Sequence, residues 1–270
     1  MRARFRTSRG RVLATLPLFF LPAPAPPARA AEAETRFDFR ILPAYFSGDY
    51  DTGIDTSITY VPLIVVVSSR RQELRVTVPY LSIHTSQPVL YLNGEVIPAA
   101  AGGSTSESGL GDVVVQDEAF VLQGTSRRPW VSGILRVKFP TADRTKGLGS
   151  GETDYGGGVG VIQPLGPGWN LIGAWQFIVR GDPPGIDFRN TSWVTAGVQW
   201  RRSERSSWNA FYDRRQSVIE GNADLADVSL GYDRVLWPGT TLRTTAYAGL
   251  SGTAERFGIG AGFSFGKRGR

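Results

Sequence analysis

The last regular stretch of the chain, Arg256 to Phe265, alternates without a break. Phe257, Ile259, Ala261, Phe263 and Phe265 take every second position, with Gly258, Gly260, Gly262 and Ser264 between them. A period of two predicts a β-strand with one apolar face. The nearly bare opposite face should line something close-packed or wet rather than a second sheet. Other segments repeat the pattern. Leu74, Val76, Val78 and Tyr80 oppose Arg75 and Thr77, and Val131, Leu135, Val137 and Phe139 oppose Ser132, Arg136 and Lys138. Trp169, Leu171, Trp175, Phe177 and Val179 oppose Asn170, Gln176 and Arg180. Ala226, Val228, Leu230 and Tyr232 oppose Asp227, Ser229 and Asp233. In order, twelve strands are predicted, near 35–46, 56–68, 73–83, 110–122, 130–139, 155–165, 169–180, 189–201, 208–216, 223–235, 241–251 and 256–265. The segments near 58–67 and 113–121 are ambiguous, and Asp117 with Glu118 puts a carboxylate on each face of the second.

The connections carry an independent pattern. Those after even strands are short: Ser69–Gln72, Gln123–Pro129, Gly166–Gly168, Arg202–Ser207 and Leu236–Thr240. Those after odd strands include the two longest, 84–109 and 140–154. Short turns on one rim and long loops on the other, on strands of about ten residues, predict an all-β transmembrane antiparallel barrel with up-and-down meander topology. Trp130, Trp169, Trp208 and Trp237 all fall beside the short turns, where an interfacial aromatic belt is expected. No stretch reaches the roughly 18 apolar residues of a membrane helix.

Residues 1–30 read as a secretory signal peptide. A basic segment with Arg2, Arg4, Arg6, Arg9 and Arg11 precedes the apolar run 12–21, and Ala28-Arg29-Ala30 offers a small-x-small cleavage site. Residues 31–270 then form the barrel, placed in a bacterial outer membrane. The chain has 30 Lys and Arg against 24 Asp and Glu. Six of those arginines lie in the first 30 residues, which hold no acid, so the remainder is balanced. Nucleic acid is therefore not an expected partner. With no Cys and one His, disulfides and thiolate, zinc, copper or haem sites have little to build on. No cofactor is called for.

Several motifs occur in sequence order: Gly48-Asp49-Tyr50, Tyr60-Val61-Pro62, Thr77-Val78-Pro79-Tyr80, Ser108-Gly109-Leu110-Gly111-Asp112, Lys138-Phe139-Pro140-Thr141-Ala142, Lys146-Gly147-Leu148-Gly149 and Gly181-Asp182-Pro183-Pro184-Gly185. Together they resemble outer-membrane proteins of the meta-pathway phenol-degradation family, over most of the chain after residue 30. The resemblance implies a barrel that passes small, often apolar or aromatic compounds, and it supplies no catalytic residues.

Charged residues opposite the apolar rows are the candidate chemistry. Lipid-facing Arg or Lys near the midplane would cost about 2–4 kcal/mol each, so Arg75, Arg136, Lys138, Arg180, Asp213 and Asp233 are expected to line the lumen. Asp38, Arg40, Arg215, Asp227 and Arg243 join them on the same argument. They form either a mutually neutralising network or a lining that selects solutes. Arg75, Arg136 and Lys138 are the candidate cationic patch for a carboxylate or phenolate. His84, near Ser82 and Ser86, would need a Ser and an orienting acid to make a lipid-modifying enzyme; the plainer reading is a rim residue. Asp49, Asp51 and Asp55 could offer oxygens to Ca²⁺ or simply form a turn. The run Lys146–Gly151 lacks the residues of a phosphate loop and is expected to be a flexible outer loop. Gly156–Gly158 should mark curvature or a close approach. The function expected is a passive or selective channel for small solutes. A structural or surface-recognition barrel and a lipid-modifying enzyme are the alternatives. Expected partners are the solutes, outer-membrane lipids with lipopolysaccharide, and the barrel-assembly machinery.

Overall fold

The structure, a computed structural model, describes residues 35–87, 89–92, 95–98, 105–183, 185 and 187–268. The candidate signal peptide lies outside the described residues, as does part of the loop 84–109. Sixteen strands run in the order β1 (Arg36–Ile41), β2 (Ala44–Gly48), β3 (Thr56–Ser68), β4 (Gln72–Thr85), β5 (Val89–Leu92), β6 (Glu95–Pro98), β7 (Ser106–Leu110), β8 (Val113–Leu122), β9 (Trp130–Phe139), β10 (Asp154–Gly166), β11 (Trp169–Val179), β12 (Thr191–Arg201), β13 (Ser206–Arg215), β14 (Leu225–Trp237), β15 (Thr240–Gly249) and β16 (Phe257–Arg268). Fourteen of them make one antiparallel sheet, and β5 with β6 forms a separate hairpin. β1 with β2, and β7 with β8, are each one interrupted stave, so the barrel has twelve staves. Both β1 and β2 pair with β16 on one side and β3 on the other, which closes it. The seam between β16 and β3 is therefore paired on both sides, as a membrane barrel requires.

The barrel is apolar outside and polar inside. Large hydrophobics such as Leu135, Ile259, Trp175 and Phe177 are exposed, whereas Lys138, Arg243, Asp213 and Asp233 are buried. Hydrocarbon is the solvent that makes this arrangement stable, because lipid satisfies the apolar band and the lumen satisfies the charges. Asp117, on the outer face of β8, accepts from Gln72 Nε2 at 2.9 Å beside the short-turn rim, while Glu118 points inward. The ambiguity of that segment thus resolves by alternation.

The bare face of β16 has a local cause. Stave one breaks at Leu42-Pro43, because proline cannot donate to the ladder, and the break bulges against β16. Ala261 N donates to Pro43 O at 3.0 Å instead. A Cβ on Gly262 would sit 2.1 Å from Ile41 O, and one on Gly258 would sit 2.4 Å from Phe46 Cδ1. Gly156 and Gly158 behave similarly against the adjacent strand β11: a Cβ on Gly156 would meet Ile178 Cδ1 at 2.5 Å, and one on Gly158 would meet Trp175 O at 2.2 Å.

The short-turn rim carries Trp169 stacked on Trp200 (5.5 Å), Trp208 against Tyr232 (4.7 Å) and an exposed Trp237. Trp130 corrects the belt. It is buried, because it shares parity with the inward Ser132, Ile134 and Arg136, and it packs edge-on against Phe120 inside the lumen. The loop 84–109 contains an element that sequence reading did not separate, the β5–β6 hairpin. Its Val89, Tyr91, Glu95 and Val96 are buried.

Candidate functional site: the barrel lumen

Inward side chains are layered from the short-turn rim upward. The lowest layer is a set of paired charges and amides. Arg40 Nε lies 2.5 Å from Asp38, Arg75 Nη2 2.7 Å from Glu73, and Arg243 Nη1 3.1 Å from Asp233. Ser132 donates to Glu118 at 2.5 Å and Asn170 to Gln199 at 3.2 Å. In each Arg pair the charge is buried, and such pairs persist only because both members are present.

Across its width the lumen divides. One wall, from β8 to β13, is filled by an apolar cluster of Phe120, Trp130, Ile134, Ile172, Trp193 and Phe211. Arg136 and Arg180 lie over the Trp193 ring at 5.0 and 5.4 Å, within cation–π reach. The other side is open. A chamber of about 70 Å³ is bordered by β1–β4, β8, β9, β15 and β16. Arg40, Arg75, Arg136 and Arg243 line it, together with Tyr60, Tyr247 and an apolar patch that includes Pro43, Pro62 and Ile64.

A third layer ties the long loops to the barrel. Lys138 Nζ lies 3.2 Å from Asp112 and 3.2 Å from Asp154, and donates to Ser150 Oγ at 2.8 Å. Arg180 Nη1 donates to the same Asp154 at 2.7 Å, and Gly181 N to its other oxygen at 3.2 Å. Stave four breaks at Gly111-Asp112. There Thr141 Oγ1 donates to Gly111 O at 3.0 Å and accepts from Val113 N at 2.8 Å, while Ala142 N donates to Asp112 at 3.1 Å. A Cβ on Gly149 would fall 2.8 Å from the Asp112 carboxylate. The motifs around 108–112, 138–142, 146–150 and 181 are thus distant in sequence but meet in one knot.

That meeting gives the motif order a physical basis, and the family assignment has the same span. Residues 45–266 match the family described as "Putative MetA-pathway of phenol degradation". The chain belongs to this family. No curated protein matches the chain in sequence. Among solved structures, the COG4313 outer membrane channel from Pseudomonas putida F1 is similar at 12% identity, covering 88% of this chain and 97% of that one, with a TM-score of 0.64. The NanC porin is similar at 12% identity, 84% and 98% coverage, and a TM-score of 0.53. At such identities the likeness is one of fold.

Arg75, Arg136, Lys138, Arg180, Asp213 and Asp233 all point inward, but the structure does not gather them in one place. Arg75 and Arg136 border the chamber, and Asp233 pairs with Arg243 below it. Lys138 and Arg180 belong to the knot. Asp213 accepts from Thr195 Oγ1 at 2.5 Å near the long-loop rim. There Arg215 donates to Asp227 at 2.8 Å. Glu255, in the loop before β16, sits beside this pair, and burial with the neighbouring Asp227 pushes its carboxyl up to about 7. The β5–β6 hairpin covers this end. Glu95 accepts from Ser217 Oγ at 2.5 Å and Val218 N at 2.9 Å, and Tyr91 N donates to Gly147 O at 2.8 Å.

The run Lys146–Gly151 is packed, which corrects the expectation of a flexible loop. Leu148 is buried against the inward apolar residues beneath the hairpin, and Gly147 and Gly151 adopt positive φ (69° and 77°) to turn it in. Ser106 Oγ and His84 Nδ1 lie 2.8 Å apart on the exposed face of β4 and β7. Among the described residues no acid or amide side chain orients that imidazole, and strand alternation turns Glu107 to the other face. Asp49 serves its own turn by accepting from Asp51 N at 3.3 Å, and it faces Arg256 at 3.4 Å. Among the described residues no acidic or histidine cluster is placed to hold a metal ion. Asp112, Asp154 and Tyr247 were missed by sequence reading. Parity could have flagged Tyr247, opposite the outward Ala246, but nothing local marks the two aspartates as partners of Lys138.

Proposed function

We propose that this chain is an outer-membrane channel for passive uptake of small organic solutes, with the short-turn rim in the periplasm and the long loops outside. The observation that carries this reading is the chamber. A barrel built as an inert structural element would fill its lumen on all sides, as the Trp193 side is filled, and this one does not. The chamber mixes donors with apolar surface, which suits compounds that combine a ring with a polar group. Membership of a family named for phenol degradation supports the same solute class. On this reading the β5–β6 hairpin gates the outer mouth, and no energy source or cofactor is needed.

The hairpin also favours a second reading, a non-transporting barrel whose mouth stays shut. Swelling of proteoliposomes holding refolded protein separates the two. Swelling that depends on solute, comparing phenol-sized aromatics with sugars of similar mass, supports the channel. Swelling no faster than in protein-free liposomes, from protein that still shows heat-modifiable β-structure, supports the closed barrel.

A further inference from the structure

The lining of the chamber is one-sided in charge. Arg40, Arg75, Arg136 and Arg243 border it, and among its described lining residues none is acidic. The carboxylates that hold three of these arginines, Asp38, Glu73 and Asp233, are not among its lining residues. Each guanidinium has five donors in a fixed fork, and one or two contacts to a carboxylate do not exhaust them. Arg40 shows this directly. It is 2% exposed, it uses Nε on Asp38, and its Nη2 is buried with no partner. A buried cationic donor without a partner is costly unless something anionic or polar completes it.

The rest of the chamber lining is largely apolar. Pro43, Pro62, Ile64, Gly260 and Gly262 belong to it, with Tyr60 and Tyr247 among the remaining lining residues. A carboxylate accepts up to four hydrogen bonds and matches guanidinium geometry in bidentate fashion. Its attached ring would lie along the proline and glycine surface.

We infer that the chamber is a binding site for the carboxylate of a small, flat organic acid, with Arg40 as its principal donor. This rests on the channel reading, since it names the solute class of the same lumen, and it makes the preferred solute an anion rather than a neutral phenol. Lys138 is excluded from the site, because Asp112 and Asp154 already surround it.

The test is binding measured apart from transport. Benzoate, benzyl alcohol and benzylamine are titrated into the purified, folded protein by calorimetry, and the same three are compared in swelling assays. Benzoate should saturate at least tenfold more tightly than benzyl alcohol, and benzylamine should not bind. Arg40→Gln in an Asp38→Asn background, which leaves no buried acid unpaired, should weaken benzoate at least fivefold. Arg256→Gln on the outer rim should leave benzoate binding unchanged. Equal binding of benzoate and benzyl alcohol overturns the site, and so does a folded Arg40 variant with undiminished benzoate affinity. If that variant fails to show heat-modifiable β-structure, the comparison of the three ligands on the native chain still decides. Benzoate that binds but does not cross leaves the site standing and defeats the channel. Solutes that all cross without benzoate binding do the reverse.

Discussion

The knot around Lys138 makes a quantitative demand. Nζ lies 3.2 Å from Asp112 Oδ2, and both side chains are almost fully buried. Two unit charges at that distance attract by about 5 kcal/mol at an effective dielectric of about 20. Lys138→Met removes the cation but leaves Asp112 buried, with the Ala142 amide at 3.1 Å as its described donor. Stranding a buried charge in this way should destabilise the barrel by about 3–5 kcal/mol. Asp112→Asn is milder, about 1–3 kcal/mol, because Lys138 keeps Asp154 and Ser150. The double variant strands nothing at Asp112 and should cost less than the sum of the singles by about 1.5–3 kcal/mol. Urea unfolding in phospholipid vesicles, followed by the fluorescence of the seven tryptophans, measures all three. Additivity within about 0.5 kcal/mol would mean the two groups do not interact, and the account of how the loops are anchored would fall.

Three other outcomes follow from the same physics. Leu135→Arg puts a charge on the lipid face of β9, where Leu135 is 67% exposed, and should cost about 2–4 kcal/mol in the same unfolding assay. Gly262→Ala drives a methyl into Ile41 O at the closing seam; a loss of about 1–3 kcal/mol or a lower refolding yield is expected, and native stability would show that the Leu42-Pro43 bulge is misplaced. Glu255 is held up to about 7 by burial and Asp227, against an ordinary value of 4.5. A folded value above the unfolded one gives stability that is complete below the ordinary value and is lost as pH rises through about 7. Resistance to urea should therefore fall from about pH 5 to about pH 8, and Glu255→Gln should flatten that dependence.

Period-two alternation made most of the barrel legible. Once lipid is the solvent, each strand's polar face has one place to go, so Arg75, Arg136 and Asp233 could be turned inward from parity alone. Trp130 departs from the belt because its parity with Ser132 and Arg136, not its position near a turn, sets the face it takes. The breaks at Leu42-Pro43 and Gly111-Asp112 were written in proline and glycine but hidden inside strands read as continuous. The β5–β6 hairpin had its own signal, Asn93-Gly94 between two short apolar runs. What could not be read is the pairing across staves. Whether Lys138 meets Asp112 and Asp154, or instead faces the chamber with Arg136, depends on register and on loops folding inward. Those are set by contacts among residues far apart in sequence.

Whether the barrel conducts is decided by current across a planar bilayer, comparing the native chain with a variant in which residues 89–98 are replaced by a short Gly-Ser linker. Discrete channel openings are expected for the native chain, and a larger, more persistent open state once Tyr91 and Glu95 no longer cover the mouth. Silence from both proteins, each inserted and heat-modifiable, would contradict the channel reading and make the lumen a closed interior.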